Sequence, residues 1–267
     1  MPTLTPDKPV FAAEAVRGEG DGGGDDDDGS DSVAYEDEVL EYCTQILAAL
    51  ARTSSDARGR MLTEAVPALV HLCDRGLYMA GAYDKVLGNA TGVIGYLALD
   101  AHTRKQLLPM GAVPPLASLL AKAQDATLLG NVAGALSYLA VEREFREDMV
   151  RAGVPQSLVA LCGRGGVVDH DVLGNAAQCV AVMSADFAIR TLLVREGIVQ
   201  PLVQACTRSR PLPSGPLANV AKALAKLAQH RVCCCCCGKW CERSATSLVM
   251  RAAAVVCRWC MKEQWSL

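Results

Sequence analysis

From about residue 85 onward, apolar side chains recur three and four positions apart, in blocks that keep the same shape. Leu87, Ala90, Ile94 and Leu97 form one set, Leu129, Val132, Leu136 and Leu139 a second, and Leu173, Ala176, Val180 and Met183 a third. A spacing of i, i+3, i+7, i+10 winds into a single stripe on a helix, so each block predicts an amphipathic helix with one buried face. A second apolar block follows each of the first: Val113–Leu120, Val154–Leu161 and Ile198–Val203. Each carries Pro near its start, where the first-turn N–H groups lack intrahelical partners anyway. Each is also preceded by Gly, which permits a sharp turn between two helices.

The blocks are copies of one unit. Leu87-Gly88-Asn89 returns as Leu129-Gly130-Asn131 and Leu173-Gly174-Asn175, then loosely as Leu217-Ala218-Asn219, with steps of 42, 44 and 44 residues between the asparagines. Fifteen residues after the first three asparagines stand Arg104, Arg146 and Arg190; twenty-two after them, Gly111, Gly153 and Gly197; twenty-seven after them, Leu116, Leu158 and Leu202. A weaker copy puts Tyr42 at the Asn position and Leu69 at the Leu position, and its step of 47 to the next copy implies extra residues near Gly76–Asp84. Helical units of this length cannot bury their faces singly but can when stacked, which predicts a solenoid.

The run N-A-T-G-V-I-G-Y-L-A, R-K-Q-L-L, G-A-V-P-P-L-A-S-L-L closely resembles the armadillo repeat, over roughly residues 38–230. The resemblance implies an all-α, right-handed α-solenoid of three-helix units, four of them plus the long helix of a fifth. HEAT repeats are the near neighbour; the Gly-to-Pro turn and the row of asparagines favour armadillo. The expected organisation is an acidic, disordered arm over 1–35, a repeat domain over 36–230 and an atypical Cys-rich tail over 231–267.

On the long helix, positions −4, 0, +3 and +7 from the Asn lie roughly 140° from the apolar stripe at 3.6 residues per turn. They read Lys85, Asn89, Gly92, Tyr96; Thr127, Asn131, Gly134, Tyr138; Asp171, Asn175, Gln178, Val182; and Gly215, Asn219, Lys222, Lys226. In armadillo proteins this helix lines a concave groove and its asparagines pair with the backbone of an extended peptide. By resemblance, Asn89, Asn131, Asn175 and Asn219 are the leading site candidates, since an amide offers both donor and acceptor. The alternative is that each Asn braces the solenoid by bonding neighbouring backbone. Lys85, Lys222 and Lys226 would favour an acidic ligand, or form a solvated face. Tyr96 and Tyr138 would anchor a ligand side chain or cap the groove edge, with Gln178 beside them. Nuclear-transport adaptors of this superfamily carry Trp at −4, where this chain has Lys85, Thr127, Asp171 and Gly215, so an import-receptor role is not expected.

Composition adds the following. Residues 1–42 hold thirteen Asp/Glu against two Lys/Arg, whereas the remainder holds sixteen against twenty-four. The stretch 18–32 is too polar to form a core; it is expected to act as a solvating linker, or as an arm folding back onto the groove. Aromatics are only 4%, which disfavours a stacking-based nucleic-acid binder. No export signal or membrane-spanning run is apparent, so a cytoplasmic location is expected, with nuclear, cytoskeletal or ciliary association open. Cys43, Cys73, Cys162, Cys179 and Cys206 fall within helical patterns, where thiols act as small hydrophobes. Three readings of the tail stay open: a zinc site of Cys237, Cys241, Cys257 and Cys260, palmitoylated adjacent cysteines, or a divergent or mispredicted end.

No phosphate loop, nucleophile motif or paired histidines accompany the repeats, so neither catalysis nor a cofactor is expected. The sequence predicts a monomeric interaction scaffold whose partners are other proteins, not nucleic acid. Its ligand is an extended segment or, alternatively, a folded small GTPase that it regulates; a fragment of a larger armadillo protein is a further alternative.

Overall fold

Aspartate and serine side chains start several of the helices. Asp100 accepts from the N–H groups of His102 and Thr103, Asp125 from Leu128, Asp169 from Asp171, Asp186 from Ala188 and Ile189, and Ser54 from Ala57. Each thereby satisfies donors that a helix N-terminus leaves unpaired. The Thr103 amide, seconded by His102, holds the Asp100 carboxyl below its ordinary range.

The computed structural model describes residues 30–76, 81, 83–164, 169–206 and 212–229, with side chains from 37. Among the described residues every regular element is a helix, and the helices fall into three kinds. Long groove helices are α1 (Ser30–Thr53), α4 (Asp84–Leu99), α7 (Ala126–Leu139), α10 (His170–Met183) and α13 (Ser214–Ala228). Backing helices are α3 (Val66–Gly76), α6 (Val113–Lys122), α9 (Val154–Gly163) and α12 (Val199–Cys206). Shorter connecting helices are α2 (Ser55–Glu64), α5 (Ala101–Gln106), α8 (Arg143–Arg151) and α11 (Phe187–Arg195). The groove helices pack in series, α1 on α4, α4 on α7, α7 on α10 and α10 on α13, while the backing helices stack α3 on α6, α6 on α9 and α9 on α12. The result is an all-helical solenoid with one continuous interior.

The periodic leucines carry that interior. Leu87, Leu129 and Leu173 are 1%, 4% and 1% exposed, and Ile94, Leu136 and Val180 are fully enclosed. Gly111, Gly153 and Gly197 all sit at positive φ, 67°, 77° and 88°. That backbone conformation costs a residue with a Cβ, which explains glycine at this turn in those three copies. The extra residues of the 47-residue step lie between Leu69 of α3 and Asn89 of α4, which are 20 residues apart where the later units have 15 or 17.

The arginine anchors close helices. Arg104 Nη1 donates to the carbonyls of Ala98 and Leu99, Arg146 Nη1 to Ala140 and Val141, and Arg190 Nη1 to Ser184. All are carbonyls at the C-terminus of the preceding groove helix, where both orphan acceptors and the negative end of the helix dipole invite a cation. Arg104 also pairs with Glu142, Nη2 to Oε1 at 2.8 Å and Nε to Oε1 at 3.0 Å.

α1 starts at Ser30. Cys43 is exposed, whereas Cys73, Cys162 and Cys179 are buried as small hydrophobes should be. The acidic arm up to residue 29 and the tail cysteines Cys237, Cys241, Cys257 and Cys260 lie outside the described residues. Among the described residues no helix is long and apolar enough to cross a membrane, and no three potential ligands gather as a metal site.

Candidate groove on the long helices

The four asparagines occupy one repeated position, and each reaches back across a junction. Asn131 Nδ2 donates to the carbonyl of Gly88 at 2.9 Å, Asn175 Nδ2 to Gly130 at 3.0 Å, and Asn219 Nδ2 to Gly174 at 3.3 Å. Asn89 differs because α1 carries no Leu-Gly-Asn triplet: its amide donates to Thr44 Oγ1 at 3.4 Å, and that hydroxyl donates to the carbonyls of Leu40 and Glu41. The amides therefore brace the solenoid, one bond per junction. Each primary amide still holds a second N–H and a carbonyl oxygen. Asn131 and Asn175 are 5% and 8% exposed, and Asn89 and Asn219 are half-buried.

Asn89 and Asn131 line a common groove of about 450 Å³ over α1, α4 and α7. Its floor is Gly88 and Gly92, where the missing side chains leave room; a Cβ on Gly92 would lie 3.6 Å from Asn131 Nδ2. Tyr96 and Ile46 supply apolar walls, and Arg52 and Lys85 the cations. Glu41, Asp84 and Asp125 stand against these two, so this part of the groove is not basic. Lys85 lies 3.5 Å from Glu41, a solvent-exposed pair worth at most about 1 kcal/mol. An acidic arm folding back here would meet three carboxylates.

The remaining candidates separate. Lys222 is exposed on α13, and Lys226 and Gln178 are half-buried on the same face of their helices. Tyr138 is 2% exposed and packed in the core. Burial pushes its phenol well above the ordinary range, with the neighbouring Tyr96 phenol adding to the effect. Tyr96, half-buried at the groove, is raised by burial and drawn back by Arg52. These three carboxylates are not singled out by the sequence reading above; Asp125 also caps α7. The available signal was that Asp84 and Asp125 stand five and six positions before Asn89 and Asn131.

With this geometry in hand, the family model for Armadillo/beta-catenin-like repeats matches residues 101–141, spanning α5, α6 and α7. No curated protein matches the chain. Among solved structures, a designed armadillo repeat protein in complex with the peptide (KR)4 is similar at 19% identity and TM-score 0.63, covering 81% of this chain and 83% of that one. A computationally designed armadillo repeat protein for modular peptide recognition is similar at 19% identity and TM-score 0.61, covering 85% and 95%. At such identities the likeness is one of fold.

Proposed function

We propose that this helical solenoid, whose residues 101–141 match the armadillo-repeat model and whose fold resembles designed armadillo repeat proteins, is a non-catalytic scaffold that holds an extended segment of a partner protein along its groove helices. The observation that supports this most is the row of amides at Asn89, Asn131, Asn175 and Asn219, held in one orientation by inward bonds. Each keeps a donor and an acceptor for a ligand's peptide groups, and solenoids of this kind bind on such extended surfaces. The glycine floor lets a backbone approach closely. Glu41, Asp84 and Asp125 suit a basic ligand side chain over α1–α7, and Lys222 and Lys226 suit an acidic one over α13. A designed armadillo repeat protein in complex with the peptide (KR)4 is the precedent for the first of these.

The test is selection of linear peptides on the full-length protein, followed by Gly92→Leu, which fills the floor between Asn89 and Asn131. Binding should weaken at least about tenfold, roughly 1.4 kcal/mol, while circular dichroism stays unchanged. A selected partner that tolerates Gly92→Leu and instead responds to guanine nucleotide would replace this reading with the folded-GTPase alternative.

A further inference from the structure

Every groove helix after the first is backed by the helix immediately before it: α3 packs on α4, α6 on α7, α9 on α10 and α12 on α13. Among the described residues α1 has no such backing, and its surface shows it. The stripe that is sealed on α4, Leu87, Ala90, Ile94 and Leu97 at 0–1% exposure, corresponds on α1 to Leu40, Cys43, Leu47 and Leu50. These are open: Leu40 and Leu47 are half-buried, Cys43 is exposed and Leu50 is 43% exposed. Beside them, Leu69 and Leu72 of α3 help wall an apolar groove of about 630 Å³. Since backing helices stack on one another, this groove is the place a backing helix ahead of α3 would fill.

We propose that residues 9–17, Pro-Val-Phe-Ala-Ala-Glu-Ala-Val-Arg, are the occupant, docking as the missing backing helix. They lie outside the described residues, so the inference rests on the shape of the groove, their sequence and their tether. Pro67, Leu69, Cys73, Arg75 and Gly76 of α3 have counterparts at identical spacing in Pro9, Phe11, Ala15, Arg17 and Gly18. On α3 two members of that set face inward, Leu69 at 4% and Cys73 at 0% exposure, while Pro67 is exposed. Pro114, Leu116 and Leu120 of α6 keep the same first three positions, both leucines buried. Gly76 is pressed so closely on Leu87 that a Cβ would come within 2.5 Å of its Cδ2; the corresponding pair one unit earlier is Gly18 on Leu40. Lys8 and Glu14 depart from the pattern, standing where α3 has the buried Val66 and the half-buried Leu72.

The tether fits. Residues 18–29 are Gly, Asp and Glu throughout, and twelve residues span up to about 40 Å. The distance along α1 from Ser30 to Leu50 is about 30 Å, so the segment reaches the whole stripe. A tether of that length supplies an effective concentration on the order of millimolar.

Cys43 reports on the cover because it lies in the groove. The experiment is maleimide labelling of the full-length protein, with modification at Cys43 followed by peptide mapping. Cys43 should label about tenfold more slowly than in a variant lacking residues 1–17 or in Phe11→Asp, as for a side chain open a tenth of the time. Circular dichroism establishes that both variants stay folded. Equal labelling rates in all three proteins would overturn the proposal. So would protection that survives Phe11→Asp and the deletion but vanishes on dilution alongside a dimer-to-monomer shift in sedimentation, which would assign the cover to a second copy.

Discussion

Asn175 donates its side-chain amide to the carbonyl of Gly130, 3.0 Å away on the preceding groove helix, and both groups are buried. Asn175→Ala should therefore cost about 1–2 kcal/mol from the lost bond and the space left behind. Asn89→Ala, which gives up only a 3.4 Å bond to the Thr44 hydroxyl, should cost less than half as much. Urea unfolding of the two variants checks the order, and a partner-binding defect in Asn175→Ala must be judged after correcting for it.

Arg104→Ala should be the most damaging of the three arginine substitutions. It strips the Ala98 and Leu99 carbonyls of a donor and leaves Glu142 without its partner, a loss of about 2–3 kcal/mol. Arg146 makes the same helix-end contacts, but its Nε finds no partner among the described residues. The counterpart of Glu142 in the next unit is Asp186, one carbon shorter and engaged in capping α11. Arg146→Ala should cost about 1 kcal/mol less than Arg104→Ala, measured by the same denaturant titration.

Gly174 and Gly92 should respond oppositely to alanine. A Cβ on Gly174 would lie 3.1 Å from the backbone Cα of Pro216 on α13, which cannot swing aside, whereas one on Gly92 meets only Asn131 Nδ2 at 3.6 Å. Gly174→Ala should lose about 1–3 kcal/mol by overpacking, while Gly92→Ala should gain up to about 1 kcal/mol from helix propensity. Thermal melts of the two variants should move in opposite directions.

Alkaline pH should weaken the fold through its buried thiols. Burial alone pushes Cys73, and burial chiefly pushes Cys179, from an ordinary 9.0 to about 12. Between those values the folded state holds protons that the unfolded chain releases. Stability should hold below pH 9 and fall above it, by up to about 1.4 kcal/mol per pH unit for each thiol. Cys73→Ala would remove one share of that slope while introducing its own cavity cost, so the slope, not the absolute stability, is what is compared.

Much of this architecture was legible because a solenoid writes its period into the chain: Leu87, Leu129 and Leu173 mark the interior, and Gly111, Gly153 and Gly197 mark a repeated turn that takes positive φ. What was hidden lay in relationships between units. Nothing in the spacing of Arg104, Arg146 and Arg190 says that their targets are carbonyls five and six residues back. Tyr96 and Tyr138 share a register position yet differ in burial, because helices packed on either side set exposure, not the position in the repeat. The asparagines were recognised by position, but their inward bond depends on the carbonyl of a glycine more than forty residues earlier.

Since the groove helices join in series, a pull on the two ends of the chain loads each junction in turn and never two in parallel. Such an arrangement yields by peeling, one module after another, each releasing roughly 150 Å of contour for its 42–44 residues. A protein built this way behaves under tension as a graded spring whose extension counts its modules, in place of a single brittle link.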